Sequence, residues 1–213
     1  MRYDWLDEYL LGKRGVTKDL QKDWNWVRYH IGGKMFAAVC LDGKNEPYYI
    51  NVKLEPMEGE FLRSQYEDII PGYYSNKQHW NSVKPDGQVP DGLMKEMLDK
   101  SYLLVLRGLS KHKQRTAVGI SCCGTDCASC GLYGTTCRGC NECNGKVFHA
   151  PEGKACPIYA CAVQRKRHAT CADCGQHPCG IWRATRDPQL SDEGFEKTIT
   201  ERVEMLAKVS PKR

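Results

Sequence analysis

Twelve of the chain's thirteen cysteines fall between Cys122 and Cys179, a window of 58 residues, and seven of them sit in CCGTDCASCGLYGTTCRGCNEC, Cys122 to Cys143. That density limits what this part of the chain can become. From Cys122 to Trp182 only six of 61 residues are Leu, Ile, Val or Phe, about half the level below which a chain stays disordered unless something other than a core constrains it. The cysteines are that constraint, and the question is what they hold.

Compartment decides how they are read. The N-terminus, MRYDWLDEYLLGKRG, carries acids where a secretory signal would carry basic residues and then an apolar run. The longest apolar stretch, Tyr102 to Leu106, is far too short for a membrane span. These features lead us to expect a cytoplasmic protein with no membrane partner. Reducing cytosol disfavours disulfides, so dense cysteine there points to metal or redox chemistry. Cys40, alone in MFAAVCLDG, reads as a small buried hydrophobe.

The spacing favours metal. Cys127-x2-Cys130, Cys137-x2-Cys140-x2-Cys143 and Cys171-x2-Cys174 repeat a two-residue gap that lets both thiolates of a tight turn face one ion. Gly131 and Gly175 directly follow two of these pairs, as tight sulfur-binding turns often require. Zinc is the expected cofactor, held structurally, since an all-thiolate site leaves no open position for substrate. The alternative is an iron–sulfur cluster or thiol redox chemistry, with the first half as a docking module. Three close cysteines followed by Cys156-Pro157 match ferredoxin usage, although the twelve-residue gap after Cys143 departs from it. His149, His168 and His177 are minor candidates, expected in solvated loops.

Composition divides the chain. Residues 1–113 hold four of five tryptophans and one cysteine. We read residues 1–110 as one domain, 111–121 as a polar, basic linker, and 122–213 as a small metal-stapled domain ending in a helix capped by Ser191, with Phe195, Ile199, Val203 and Leu206 along one side. The net charge of +5 splits into +1 up to Lys113 (17 basic, 16 acidic) and +4 beyond it (14 basic, 10 acidic). Neither value marks a strongly basic nucleic-acid binder.

In the first half the periodicities predict α+β, a curled antiparallel sheet flanked by helices. A helix is expected over RYDWLDEYLLGK, strands over WNWVRYHI, KMFAAVCLD and YYINVKLE, and a helix over 57–68. Two more short strands are expected within GYYSNKQHWNSVKPDG, then a long helix with Asp91 as N-cap and Leu93, Met97, Tyr102 and Leu106 on one side. GKMFAAV, PGYYSNKQHWNSV and DGQVPDGLMKEMLDKSYLLVLRGL resemble, in order and spacing, the MmcQ/YjbR family of small bacterial proteins. The resemblance covers about residues 1–110 and implies a CyaY/frataxin-like fold and a DNA-binding role.

The residues themselves permit that role. Lys34, Lys77 and Lys84 could neutralise phosphates, Asn76, Gln78 and His79 could donate hydrogen bonds, and Tyr73, Tyr74 or Trp80 could stack on bases. The plainer reading puts Tyr73 and Trp80 in a core and gives Asn76 and Lys77 to a turn. No nucleophile motif, phosphate loop or carboxylate pair is recognisable, so the chain is read as a non-enzymatic DNA-binding or regulatory protein, with a protein partner as a further reading. In the second half Arg165, Lys166 and Arg167 form the sharpest basic cluster. There CGTDCASCGLY, CRGC, CPIYAC and CADCGQHPC resemble a cysteine-rich bacterial domain family of unknown function, often suggested to bind zinc. The resemblance implies Cys123, Cys127, Cys130, Cys137, Cys140, Cys156, Cys161, Cys171, Cys174 and Cys179 as metal ligands, with Cys122 and Cys143 as extras.

Overall fold

The computed structural model describes residues 2–209. It divides into two compact units, with the boundary between Leu109 and Ser110.

The first unit is α+β. Helix α1 (Leu6–Leu11) precedes β1 (Val16–Gln21), β2 (Trp26–Ile31), β3 (Lys34–Leu41) and β4 (Pro47–Lys53), then α2 (Pro56–Gln65), β5 (Ile69–Pro71), β6 (Trp80–Val83) and α3 (Asp91–Arg107). The strands make one six-stranded antiparallel sheet in the order β1-β2-β3-β4-β6-β5. Side chains alternate across a sheet, so the register sorts them by face. Val27, Val39, Ile50, Val83 and Ile69 form one cross-strand row. Trp26, Cys40 and Tyr49 form a row on the opposite face, beside Arg28, Ala38, Asn51 and Ser82. Helix α3 packs across β3 and β4 and buries Met94, Met97, Leu98, Tyr102, Val105 and Leu106.

Ser101 pins this helix. Its buried hydroxyl accepts the Lys53 backbone N–H at 2.8 Å and donates to the Phe36 carbonyl. Replacing Ser101 with Ala removes both bonds and leaves the half-buried Lys53 N–H without this acceptor, a loss on the order of 1 kcal/mol or more. Urea unfolding of the S101A chain should show that loss in the first unit, and an unchanged midpoint would remove Ser101 from this role.

Several local expectations are corrected. Asp91 is not the N-cap: Pro90 takes that position, and the Asp91 carboxylate accepts the Trp5 indole N–H at 2.8 Å instead. Of the two short strands expected within residues 72–87 only β6 forms; residues 72–79 are a loop, in which Asn76 makes the turn of the plainer reading. Strand β1 was not expected. It is an edge strand with both faces largely exposed, so its sequence, VTKDLQ, shows no apolar alternation.

The second unit begins with α4 (Lys111–Val118), which replaces the expected linker. Ser110 Oγ accepts the Lys113 N–H, and Gly119 ends the helix in the left-handed region at φ 66°. The helix orders because Val118 and Arg115 are buried, the latter at 2% exposure. Residues 119–156 contain only turns and two isolated bridges, Ile120–Asp126 and Tyr133–Cys137. Then come α5 (Pro157–Tyr159), continued by a π-helical turn (Ala160–Arg165), a 3-10 turn (Cys171–Asp173), α6 (Gly180–Ala184) and α7 (Asp192–Val209). Helix α7 buries Phe195, Ile199 and Leu206, with Ser191 Oγ accepting the Gly194 N–H at 3.1 Å. Gly124, at φ 82°, brings the cysteine segment so close to α7 that a Cβ there would collide with the Arg202 carbonyl. The last residues of the expected metal-stapled domain, 210–213, lie outside the described residues. Among the described residues no helix is long and apolar enough to cross a membrane.

Candidate functional site

In the first unit, the face that carries the Trp26–Cys40–Tyr49 row also carries an aromatic surface. Trp24 meets Trp26 at 5.7 Å between ring centroids, Trp26 meets Tyr74 at 6.4 Å, Tyr74 meets Tyr73 at 4.5 Å, Tyr73 meets Tyr49 at 5.6 Å and Tyr49 meets Tyr48 at 5.2 Å. Six rings therefore run in one chain of contacts. Tyr73, expected in a core, is 54% exposed, and Tyr74 and Trp24 are 67% and 56% exposed. Trp80 is half-buried.

A buried polar relay holds the loop that bears the two tyrosines. The Tyr73 N–H donates to Ser82 Oγ at 3.0 Å, and Ser82 Oγ donates to Asn51 Oδ1 at 2.6 Å. Asn51 Nδ2 in turn reaches the Cys40 sulfur at 3.4 Å. Burial pushes the Cys40 thiol up to about 12, so it stays protonated, a neutral core group as expected of a lone cysteine. The relay anchors Tyr73 at its backbone and leaves its ring outside.

The predicted polar residues separate around this face. Asn76 builds the loop: its Oδ1 accepts the Gln78 and His79 N–H groups at 2.9 and 3.3 Å. Lys77 and Gln78 are exposed on that same loop. His79 turns inward, with Nδ1 buried and without a hydrogen-bond partner among the described residues. Lys84 is tied to Asp68 at 3.2 Å and lies with Tyr48 along one open cavity. Lys34 pairs with Ile31 at the end of β3 opposite the Trp26–Cys40 pair. At about 3.3 Å per residue that is roughly 20 Å away.

In the second unit the cysteines fall into two neighbourhoods. Burial pushes the Cys127 thiol up to about 11, reinforced by Cys123, Glu142, Cys137 and Cys130. Burial raises Cys140 further, with Cys123, Cys127, Cys156 and Cys143 adding to it. Ser121 Oγ and Thr125 Oγ1 lie 3.1 and 3.4 Å from the Cys123 sulfur. The second neighbourhood surrounds a cavity of about 30 Å³ lined by Cys161, Cys171, Cys174 and Cys179, with Trp182 and His177 in its wall. Cys122, taken as an extra, is buried and hydrogen-bonded to Cys171. That bond holds Cys122 protonated and lowers Cys171, which the Trp182 N–H also favours. No spacing in the sequence links Cys122 to Cys171 across 48 intervening residues; the contact is tertiary. Lys166 Nζ lies 3.5 Å from the Cys174 sulfur, and Arg165 and Arg167 are exposed on either side of it. Among the described residues no group of three or more Cys, His, Asp or Glu is drawn together as a metal cage.

The YjbR family model matches residues 11–104, so none of the twelve clustered cysteines falls within it. The uncharacterized protein YjbR of Escherichia coli K12 is 30% identical over 111 residues, which cover 52% of this chain and 92% of that protein. The uncharacterized protein YbdF of Escherichia coli O157:H7 is 34% identical over 87 residues, 41% of this chain and 70% of its own. Among solved structures, the Deinococcus radiodurans protein DR2400 is 31% identical, covers 55% of this chain and 88% of that one, and superposes with a TM-score of 0.49. With nearly the whole length of a relative matched at that identity, the chain belongs to the YjbR family, and its first unit is the family's domain.

Proposed function

We propose that this is a cytoplasmic, non-enzymatic DNA-binding protein that holds unpaired bases on the aromatic face of a CyaY/frataxin-like first unit. In the same reading, its second unit is a zinc-stapled module of the cysteine-rich family that its motifs resemble. The observation that carries the DNA reading is the contact chain of six rings, three of them more than half exposed. Every base has a π-face, and stacking on an aromatic side chain contributes about 1–3 kcal/mol per base without sequence readout. Lys77 stands on the same loop as Tyr73 and Tyr74 and supplies a phosphate contact; Arg165, Lys166 and Arg167 supply a second basic surface. With few cations, binding is expected to depend on stacking more than on charge.

The zinc reading rests on the donor chemistry. Twelve thiols crowd a unit with little apolar core, and soft thiolates select zinc or iron–sulfur centres over hard cations. Bound metal would cross-link turns that have no ladder of their own. In the structure the thiols have neighbours of the right kind but are not gathered to one centre, so ion binding requires side-chain rotation.

The full-length chain should bind a fluorescent single-stranded oligonucleotide more tightly than the same sequence as duplex. Replacing Tyr73 and Tyr74 together by Ala should weaken the single-strand complex by about 10-fold or more, since each ring contributes ~1–3 kcal/mol. K77E should weaken it less and reduce the salt slope by about one. An anisotropy titration at low salt that detects no DNA binding, or a double alanine variant that binds as the unaltered chain does, would overturn this reading.

A further inference from the structure

We propose that Cys161, Cys171, Cys174 and Cys179 constitute one four-thiolate site for a single zinc-class cation, assembled around the small cavity of the second unit. The inference rests on the zinc reading above and adds what that reading lacks, namely which cysteines share an ion.

Spacing alone allows Cys171-x2-Cys174 to be completed by any other pair of cysteines. The fold removes that freedom. Cys161 lies on the π-helical turn, Cys171 opens the 3-10 turn and Cys174 follows it, and Cys179 immediately precedes α6. These separate pieces bring their four cysteines to the wall of one cavity. Four thiolates match the donor count of a closed structural zinc site.

Its size admits a single ion. A volume of about 30 Å³ exceeds the roughly 10–15 Å³ needed to admit one water-sized guest, so a single ion fits. The remaining wall combines the apolar side chains of Ile158, Ala162, Ile181 and Trp182 with Lys166, His168 and His177.

The surroundings suit a bound ion. The Cys174 N–H donates to the Cys171 carbonyl at 3.0 Å, which closes the turn between the two ligands. His177 Nδ1 donates to the Cys174 carbonyl at 2.6 Å, so we assign His177 to holding the ligand turn and not to the metal. On binding, each of the four thiols releases its proton to solvent as its sulfur bonds the cation. A divalent ion with four thiolates carries a net charge of −2, and Lys166 Nζ, 3.5 Å from the Cys174 sulfur, offsets part of it. The side chains ring the cavity without converging, so closure proceeds by rotation about χ1 of the cysteines on their fixed turns.

The test uses the purified full-length chain and zinc itself. Zinc per chain is measured for the unaltered protein and for C161S, C179S, C143S and H177Q. C161S and C179S should each carry about one zinc fewer than the unaltered chain, whereas C143S and H177Q should keep its full count. Because a serine variant can fail to fold, thiol alkylation of the unaltered chain, mapped by mass spectrometry with and without a chelator, provides a second reading. Cys161, Cys171, Cys174 and Cys179 should be protected together and become reactive together. If the chain holds zinc but these four label independently, or C161S and C179S retain the full count, the assignment is wrong while the zinc reading stands. If the unaltered chain holds no zinc, or holds iron with sulfide in its place, both fall.

Discussion

On the zinc reading, removing metal from the full-length chain is expected to expose residues 121–183 to protease while the first unit stays intact. The reason is the thinness of the core in that segment. Of its six Leu, Ile, Val and Phe residues, Val147 and Ile158 are buried, while Leu132 and Phe148 are 44% and 59% exposed. From 119 to 156 the backbone has turns and two isolated bridges, so no helix or sheet ladder cross-supports it. Ordering each residue costs about 1–2 kcal/mol of backbone entropy, and so small a core cannot offset that over this length. A structural zinc ion contributes on the order of 10–16 kcal/mol in small zinc-finger peptides, enough to change which state prevails. The first unit has its own sheet and a helix with seven buried residues. Limited proteolysis with a strong chelator should cut between Ser121 and Arg183 and leave a resistant fragment ending near Ser110. Continued protection of the cysteine segment, with metal shown to be gone, would mean that its fold does not depend on metal.

The second large effect is expected at Arg115. This guanidinium, 2% exposed, donates from Nε to Asn141 Oδ1 at 2.7 Å and from Nη1 to the Ala169 carbonyl at 2.9 Å. Asn141 passes the link on by donating to the Ile120 carbonyl at 2.8 Å, and the guanidinium lies 6.0 Å from the Tyr159 ring centroid. One side chain thus ties α4 to the start of the cysteine segment and to the loop before the 3-10 turn. Hydrogen bonds to charged groups contribute about 1.5–3 kcal/mol each. Arg115→Ala should therefore destabilise the second unit by roughly 3–6 kcal/mol, much of a typical domain's stability of about 5–15 kcal/mol. R115K keeps the charge but cannot reproduce the two-pronged geometry and should fall between. Urea unfolding read by hydrogen exchange in α4 measures this, and a loss below about 1 kcal/mol for R115A would show that the network is dispensable.

What could be read in the sequence was local or compositional. The α+β class of the first half followed from alternating apolar runs and two amphipathic helices, and its family from motifs around Asn76–Trp80. Cys40 as a buried hydrophobe and Ser191 as a cap are decisions that neighbouring residues make alone. Strand β1 was illegible because an edge strand with two solvated faces has no period. Helix α4 is illegible for a related reason: KHKQRTAV is polar, and its helix depends on burying an arginine whose partners lie 26 and 54 residues further along the chain.

Tertiary structure alone decided the candidate sites. Tyr73 looks like a core residue until the Ser82–Asn51 relay fixes its backbone and leaves the ring outside. Trp24, Tyr48 and Tyr74 belong to separate turns and strands, and only the register of β2, β3 and β4, with the loop before β6, makes them one surface. The same holds for sulfur. A two-residue gap announces that a cysteine pair can face an ion, because that geometry is local to one turn. Which pairs meet depends on how the turns pack, and packing places Cys161 and Cys179 beside Cys171 and Cys174, and Cys122 against Cys171. Composition leaves residues 122–182 with few Leu, Ile, Val or Phe side chains that can leave water, and that scarcity is what motivates a constraint besides a core. The three-dimensional path of the backbone decides which of its cysteines share a cavity.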